Sequence, residues 1–153
     1  MPSPPTGTVT FLFTDIEGST RLWENHPDQM KADLAHHDAL LRDKIEAQGG
    51  YVFKTVGDAF CAAFTTASEA LAAAIANQVA LQTELWQVPG GIRIRLALHV
   101  GEAQQRDNDY FGQTVNRVAR LLSDEEQRLF AYLSVFSGGC TLEDAEAVRA
   151  APE

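Results

Sequence analysis

Two kinds of hydrophobic spacing follow one another along this chain as far as Val100, and their order limits the fold more than any other feature. Apolar residues alternate with period two in Thr8–Thr14 and in Ile92–Val100, which predicts two strands. Tyr51–Phe64 contains two shorter runs rich in Val, Phe and Ala on either side of a Val-Gly-Asp turn, which predicts a hairpin. Helical spacing in Arg21–Gln48 and Ser68–Leu85 predicts two helices between the strands.

The resulting order, β-α-β-β-α-β, predicts an α+β fold with a ferredoxin-like core, in which both helices pack on one face of an antiparallel sheet. The first helix is expected to kink at Pro27, which has no backbone N–H. Residues that recur at helical spacing predict the buried faces of the two helices, which are Met30, Leu34, Leu41 and Ile45 in the first and Leu71, Ile75, Val79 and Leu85 in the second.

The first strand leads directly into an aspartate and a helix start, in the sequence Asp-Ile-Glu-Gly-Ser-Thr. Gly18 suits a tight turn, and the hydroxyls of Ser19 and Thr20 are predicted to cap the helix. The N–H groups at a helix N-terminus favour an anion such as phosphate, and a carboxylate beside them suggests Mg²⁺. On these residues alone Asp15 is either a metal ligand or a capping aspartate.

A second aspartate, Asp58, lies in the predicted hairpin turn. In the predicted sheet, Asp15 and Asp58 fall on neighbouring central strands, where two carboxylates repel unless a cation lies between them. The pair therefore favours the metal reading and suits the two-metal geometry of phosphoryl transfer. Lys54, before the same turn, is either a ligand for base or phosphate or a solvated edge-strand lysine.

Composition limits the location and the partners of the chain. Its 153 residues fit one ordinary domain, and its 21 acidic against 12 basic side chains give a net charge of −9, which disfavours binding to nucleic acid. No stretch resembles a signal peptide or is apolar enough to cross a bilayer, so we expect a cytoplasmic protein without membrane attachment. Cys61 and Cys140 have no ligand spacing and are predicted to be free thiols.

Four segments in order, FLFTDIEGSTRLWE, FKTVGDAF, IRIRLALHVGEA and DYFGQTVNRVARL, resemble the class III adenylate and guanylate cyclase catalytic domains. Together they cover the framework from Thr8 to about Leu122. The resemblance implies an adenylate cyclase that converts ATP to 3′,5′-cyclic AMP and pyrophosphate with two Mg²⁺ or Mn²⁺ ions per site. It also implies a homodimer whose active sites lie at the interface.

The resemblance assigns roles to single positions. Asp15, Ile16 and Asp58 correspond to the metal ligands, and Lys54 with Asp109 to the pair that reads the adenine edge. The other matched positions are the phosphate-loop residues Ile16, Gly18, Ser19 and Thr20, the ribose-orienting Asn116, and the transition-state arginine Arg120. Without the resemblance, Asn116 would be read as a helix cap and Arg120 as part of a surface salt bridge.

The assigned base-reading pair also fits adenine chemically. Adenine offers an N6 donor and an N1 acceptor, which an aspartate and a lysine complement, whereas guanine reverses the pattern. The pair therefore favours ATP over GTP. The remaining histidines and aromatics receive no catalytic role: His26, His36 and His37 are predicted on a solvated helix face, His99 in packing or a polar network, and Tyr110 and Phe111 in the core or an interface.

The resemblance ends after Leu122, where the family continues into further strands. Residues 123–153 instead carry two capping-box patterns and predict two helices, which resemble a helical region of bacterial signalling ATPases. We therefore divide the chain into an incomplete cyclase domain, 1–122, and a helical tail, 123–153. A deletion that joins two segments near Leu122 and a natural short form both explain this arrangement. The alternative function is a weak or inactive module that acts in dimerisation or nucleotide binding.

Overall fold

The computed structural model describes residues 3–121, and it describes side chains as far as Val118. The predicted helices of the tail, the domain boundary, Cys140 and the side chain of Arg120 lie outside that description. The elements in chain order are β1 (Thr8–Ile16), α1 (Ser19–Asn25), α2 (Pro27–Ala47), β2 (Tyr51–Val56), β3 (Ala59–Phe64), α3 (Ala67–Thr83), β4 (Ile94–Glu102), β5 (Gln104–Arg106), β6 (Asp109–Phe111) and α4 (Gln113–Leu121).

The first four long strands form one antiparallel sheet in the order β2-β3-β1-β4. This order confirms the ferredoxin-like core, because β1 and β3 are the central strands and β2 and β4 are the edges. Both α2 and α3 pack on the same face of the sheet, through a core that includes Leu12, Ile45 and Leu96. Among the described residues, no helix is both long and apolar enough to cross a bilayer.

The predicted first helix is two helices. His26, between α1 and α2, has φ −140 and ψ 57, and Pro27 is the first residue of α2. The residue before a proline is driven out of the helical region, so the chain breaks here rather than bending within one helix. The start was also wrong: α1 begins at Ser19 with Gly18 as its N-cap, and no side chain caps it.

The buried face predicted for the second helix was wrong. In α3, Ile75 and Val79 are each 56% exposed, and Leu85 beyond its end is 96% exposed. Mainly small residues face the sheet instead, and they are Ala70, Ala73, Ala74, Asn77, Ala80 and Leu81. Alanines have small side chains, so they let a helix approach the sheet closely. Because α3 carries apolar residues on nearly all sides, the spacing of its apolar residues does not identify the face that packs on the sheet.

A second layer covers part of the opposite face of the sheet. β5 and β6 form a short hairpin whose turn residues Asp107 and Asn108 have φ 51 and 63, as a two-residue type I′ turn requires. The sequence analysis did not predict this hairpin. α4 follows it and packs against β4, where Gly101 leaves room for Thr114: a Cβ at Gly101 would lie 2.7 Å from the Thr114 methyl.

Candidate active site

Asp15 lies one residue before the end of β1 and is held by an arginine on the neighbouring strand. Arg95 of β4 is its direct cross-strand partner. Arg95 Nε donates to Asp15 Oδ1 over 2.7 Å, and Arg95 Nη2 donates to Oδ2 over 2.8 Å. Two parallel, charge-assisted hydrogen bonds of this kind fix the carboxylate in one orientation. Asp15 does not cap α1, so the capping reading was wrong.

Asp58 reaches the same end of β1 from the β2–β3 turn. Its Oδ2 accepts a hydrogen bond of 2.9 Å from the backbone N–H of Ile16, the residue after Asp15. Gly57 precedes it with φ +60, a conformation that L side chains rarely adopt. The prediction that Asp58 lies on a central strand was wrong, because Asp58 lies in the turn before β3, but its carboxylate does reach the backbone next to Asp15.

These two carboxylates fit a hard divalent ion. Mg²⁺ prefers oxygen ligands and is usually held by one or two carboxylates together with substrate phosphates. Asp15 and Asp58 supply that number, and among the described residues no group of three or more acidic, histidine or cysteine side chains forms a closed metal cluster. Two carboxylates fill only part of the coordination shell of such an ion.

Lys54 and Asp109 meet on the face of the sheet that α2 and α3 leave uncovered. Lys54 Nζ donates to Asp109 Oδ2 over 3.0 Å, and the side chains are 51% and 27% exposed. The N–H of Tyr110 donates to the other carboxylate oxygen of Asp109 over 2.8 Å, so β6 fixes the aspartate. Lys54 does lie on the edge strand β2, as an ordinary solvated lysine could, but it is paired with the residue that the sequence analysis coupled to it.

The candidate residues of α4 are not joined to these pairs. Asn116 is exposed, and among the described residues no hydrogen bond links its side chain to Asp15 or Asp58. It is the fourth residue of α4, so it is not the N-cap of that helix. Arg120 falls one helical turn later on the same helix. Within one chain, the structure thus brings the Asp58 carboxylate to the backbone next to Asp15, pairs Lys54 with Asp109, and leaves Asn116 apart.

Burial separates the remaining polar and aromatic candidates. Tyr110 is 3% exposed and donates its hydroxyl to the carbonyl of Pro5 over 2.7 Å, and burial raises its pKa to about 12. Phe111 is 49% exposed. Burial, reinforced by the charge of Arg117, lowers the pKa of His99. Burial also raises the pKa of the free thiol of Cys61 to about 11, which disfavours the reactive thiolate form.

The solvated face predicted for the helix histidines was wrong at His37. His37 is fully buried and packs edge-on against Phe60, with ring centroids 5.9 Å apart. Its Nδ1 lies 2.8 Å from a carboxylate oxygen of Asp38. Burial lowers the pKa of His37, although the hydrogen bond and charge of Asp38 and the charge of Asp58 oppose that shift. His36, its neighbour, is exposed as predicted.

A comparison with known protein families agrees with the order of the elements and with the position of the Asp58 carboxylate next to Asp15. The model of the adenylate and guanylate cyclase catalytic domain matches residues 1–129. The chain belongs to this family. The match confirms the resemblance inferred from the four segments, and catalytic domains of this kind generally use divalent metal ions, which the donor set of Asp15 and Asp58 fits.

Related proteins support the same assignment for this cyclase domain. An uncharacterized protein of Mycobacterium tuberculosis is 47% identical over 120 residues, which cover 77% of this chain and 40% of that protein. An adenylate cyclase of Neurospora crassa is 34% identical over an alignment covering 77% of this chain and 6% of that protein. The solved structure of a Trypanosoma brucei adenylate cyclase in its monomeric state superposes with a TM-score of 0.71 at 27% identity, covering 95% of this chain and 81% of that one. The cyclase domain thus spans less than half the length of these two sequence relatives.

Arg95 was not predicted as a site residue. It lies within Ile92–Val100, where the alternation of apolar and polar residues predicted only a strand. Two facts would have pointed to it: the predicted β1 and β4 are neighbours in a ferredoxin-like sheet, and Arg95 falls opposite Asp15 in their antiparallel register. A charged side chain opposite another of opposite sign is a favourable cross-strand pair.

Proposed function

We propose that this cyclase domain is an adenylate cyclase, which forms 3′,5′-cyclic AMP and pyrophosphate by attack of the ribose 3′-hydroxyl on the α-phosphorus of ATP. The observation that carries this proposal is that the carboxylate of Asp58 accepts from the N–H of Ile16, the residue next to Asp15. Two carboxylates at one end of β1 are suited to bind divalent cations, and those cations would in turn bind the phosphates of a nucleotide.

Asp15, Asp58 and the carbonyl of Ile16 would hold the metal, which we take to be two Mg²⁺ or Mn²⁺ ions. When bound, such ions lower the pKa of the attacking hydroxyl and neutralise the phosphates. The protein positions its ligands by two devices: β4 orients Asp15 through Arg95, and the hairpin turn orients Asp58 through Ile16. Gly18, Ser19 and Thr20 follow on the same loop and the start of α1, and we assign them to the triphosphate.

Lys54 and Asp109 supply the preference for adenine in this proposal. Their contact of 3.0 Å places an amine donor and a carboxylate acceptor side by side, which matches the N1 acceptor and N6 donor of adenine. Guanine has a donor at N1 and an acceptor at O6, so its N1–H would face the Lys54 amine and its O6 would face the Asp109 carboxylate. Base reading therefore requires the pair to open or shift so that both groups turn to the ligand.

Asn116 and Arg120 are assigned to the ribose and to the charge that develops on the α-phosphate. An arginine suits the second task because its planar fork is permanently charged. Asn116 is exposed and apart from the aspartates of its own chain, which supports a site completed by a second copy. We therefore infer a homodimer in which each site takes its metal aspartates, Asp15 and Asp58, from one protomer. The Lys54–Asp109 pair, Asn116 and Arg120 come from the other.

The base preference is tested with ATP and GTP at equal concentration in Mn²⁺, with the cyclic products separated by chromatography. We expect wild-type protein to favour ATP, and we expect changing Lys54 and Asp109 together to reduce that preference at least about tenfold. Lys44 and Asp43 provide a matched control, because they form a second exposed pair at 3.0 Å on α2. Equal wild-type rates with both nucleotides would refute the assignment of this pair.

The shared site is tested by mixing two inactive variants. Asp15→Ala and Arg120→Ala should each be inactive, whereas a mixture should regain activity, because each heterodimer contains one intact site. Mixing Asp15→Ala with Asp58→Ala is the matched control and should restore nothing, since both changes damage the same half-site. Failure to recover activity in a mixture shown to contain heterodimers would overturn the shared-site proposal. The cytoplasmic location and the lack of nucleic-acid binding stay predictions from hydropathy and charge.

A further inference from the structure

Arg95 contacts the carboxylate that we assign to the metal through both of its oxygens. The two hydrogen bonds, 2.7 and 2.8 Å long, come from different nitrogens of one guanidinium. The side chains of Arg95 and Asp15 are 32% and 21% exposed, so solvent screens the pair only partly. Asp15 is therefore already neutralised by a permanently charged group of its own chain.

The backbone builds this pair into the fold. Asp15 and Arg95 are direct partners in the antiparallel register of β1 and β4, and the next backbone contact, from the N–H of Glu17 to the carbonyl of Arg93, is 2.8 Å. Side chains of directly opposed residues lie on the same face of a sheet. Arg95 thus faces Asp15 for as long as the two strands stay paired.

The two aspartates differ in the charge of their partners. Asp58 accepts from the neutral backbone N–H of Ile16, whereas Asp15 accepts from a cation. At Asp58, a divalent ion would therefore bind a carboxylate whose negative charge is offset only by the dipole of the Ile16 N–H. The same ion at Asp15 meets a carboxylate whose charge is already balanced, and it lies within a few ångströms of a second positive group.

We propose that Arg95 is a competing counter-ion for Asp15, which keeps the affinity of the site for a divalent ion alone low. This inference deepens the proposed function, because it rests on the assignment of Asp15 and Asp58 to the metal. The phosphates of a nucleotide add the negative charge that offsets the guanidinium, so metal and nucleotide bind more tightly together than the metal binds alone. Arg95 is a positioning residue in this account and takes no part in bond making.

The test measures the binding of Mn²⁺ alone, from the electron paramagnetic resonance signal of the free ion, with no nucleotide present. We expect Arg95→Gln to lower the Kd for Mn²⁺ at least about tenfold, because a unit charge a few ångströms from a divalent ion is removed. Arg95→Lys keeps the charge but loses the fork, so its Kd should fall less. Arg93→Gln is the matched control: it removes the same charge two residues away from an exposed position and should change the Kd little.

An unchanged or higher Kd in Arg95→Gln would overturn the inference, as would an equal gain in Arg93→Gln, which would show an effect of net charge alone. If Arg95→Gln does not fold, Arg95→Lys decides, because its Kd must still fall below that of Arg93→Gln. Adding Asp15→Asn to Arg95→Gln should abolish the gain. Failure of the cyclase proposal is read separately, from the products formed with ATP. A tighter Mn²⁺ site without cyclic product would leave this inference standing and refute the proposed function.

Discussion

The two faces of the central sheet differ in what covers them and in what they carry. The face beneath α2 and α3 is packed mainly with aliphatic side chains and alanines, together with Phe60 and Phe64. The opposite face is aromatic: Phe11, Phe53 and Tyr110 meet edge to face, with ring centroids 4.8 to 5.9 Å apart. By the alternation of β1, Asp15 shares this second face with Phe11. One face therefore chiefly holds the fold, and the other carries two charged pairs, Asp15 with Arg95 and Lys54 with Asp109.

The division is not complete, because the helix-covered face also contains polar groups. Among the described residues, Thr14 Oγ1, His37 Nε2 and both polar atoms of the Asn77 amide are buried there without a hydrogen-bond partner. Such groups weaken a core, since each loses its hydration without replacing it. On the helix-covered face, we therefore expect changes of side-chain volume and of protonation to alter the free energy of unfolding. On the aromatic face, we expect changes of the charged pairs to alter activity.

The largest expected effect separates activity from stability at the proposed metal site. Asp58→Asn should lower turnover by more than about 100-fold, comparable to the loss of a single catalytic electrostatic contact. The change keeps side-chain volume, so the urea midpoint should stay near that of the wild type. Asp43→Asn, at an exposed position of α2, is the matched control and should keep full activity. Activity retained in Asp58→Asn would contradict the metal assignment.

The reciprocal change acts on the helix-covered face. Ile45 of α2 is fully buried, and Ile45→Ala should lower the free energy of unfolding by about 2–5 kcal/mol, through lost burial and the cavity left behind. Urea unfolding followed by circular dichroism measures this loss. Turnover per folded molecule should stay close to the wild-type value. A loss of less than about 1 kcal/mol would show that α2 does not seal the core as described.

His37 gives the helix-covered face a dependence on pH. Burial lowers its pKa in the folded state below the unfolded value of 6.5. The unfolded chain therefore takes up the proton first, so the contribution of His37 is fully present above pH 6.5 and is lost as the pH falls toward the folded pKa. The loss should approach about 1.4 kcal/mol for each pH unit across that window.

Unfolding free energies measured from pH 7.5 to 5 for wild-type and His37→Leu protein check this expectation. The difference between the two proteins should shift in favour of His37→Leu as the pH falls. His36→Gln is a suitable comparison, because His36 is exposed on the same helix, and it should keep the slope of the wild type. Parallel curves for wild type and His37→Leu would rule out His37 as the source.

The smallest effect is expected on the outer surface of α3. Ile75 is 56% exposed, so Ile75→Gln should change the free energy of unfolding by no more than about 0.5 kcal/mol. Ala73→Gln, on the inner surface of the same helix, should destabilise the protein strongly, because it places a polar side chain against the sheet. A large loss in Ile75→Gln would mean that another surface covers this side of α3.

Hydrophobic spacing was enough to predict the order of the strands and long helices of the four-stranded core, from β1 to β4. It did not predict the break between α1 and α2 or the β5–β6 hairpin, and it placed Asp58 on a central strand rather than in the turn before β3. It failed where spacing carries little information. The sequence of α3 is apolar on most sides, so bulk suggested Ile75 as core, but close packing selected the alanines. The partner of Asp15 could not be predicted from its own segment, because Arg95 is distant in sequence and becomes adjacent only through the pairing of β1 with β4.

The central claim that we propose is that this domain forms 3′,5′-cyclic AMP at a site that lies around Asp15 and Asp58 and is completed by a second copy. The most direct measurement is the rate of cyclic AMP formation from ATP and Mn²⁺ by the purified chain over a concentration series, beside sedimentation of the same samples. We predict cyclic AMP and pyrophosphate as products, with activity per chain that rises with the fraction of dimer. Folded dimers that bind ATP without forming cyclic AMP would contradict the claim and favour a nucleotide-binding module, and full activity in a demonstrated monomer would contradict the shared site.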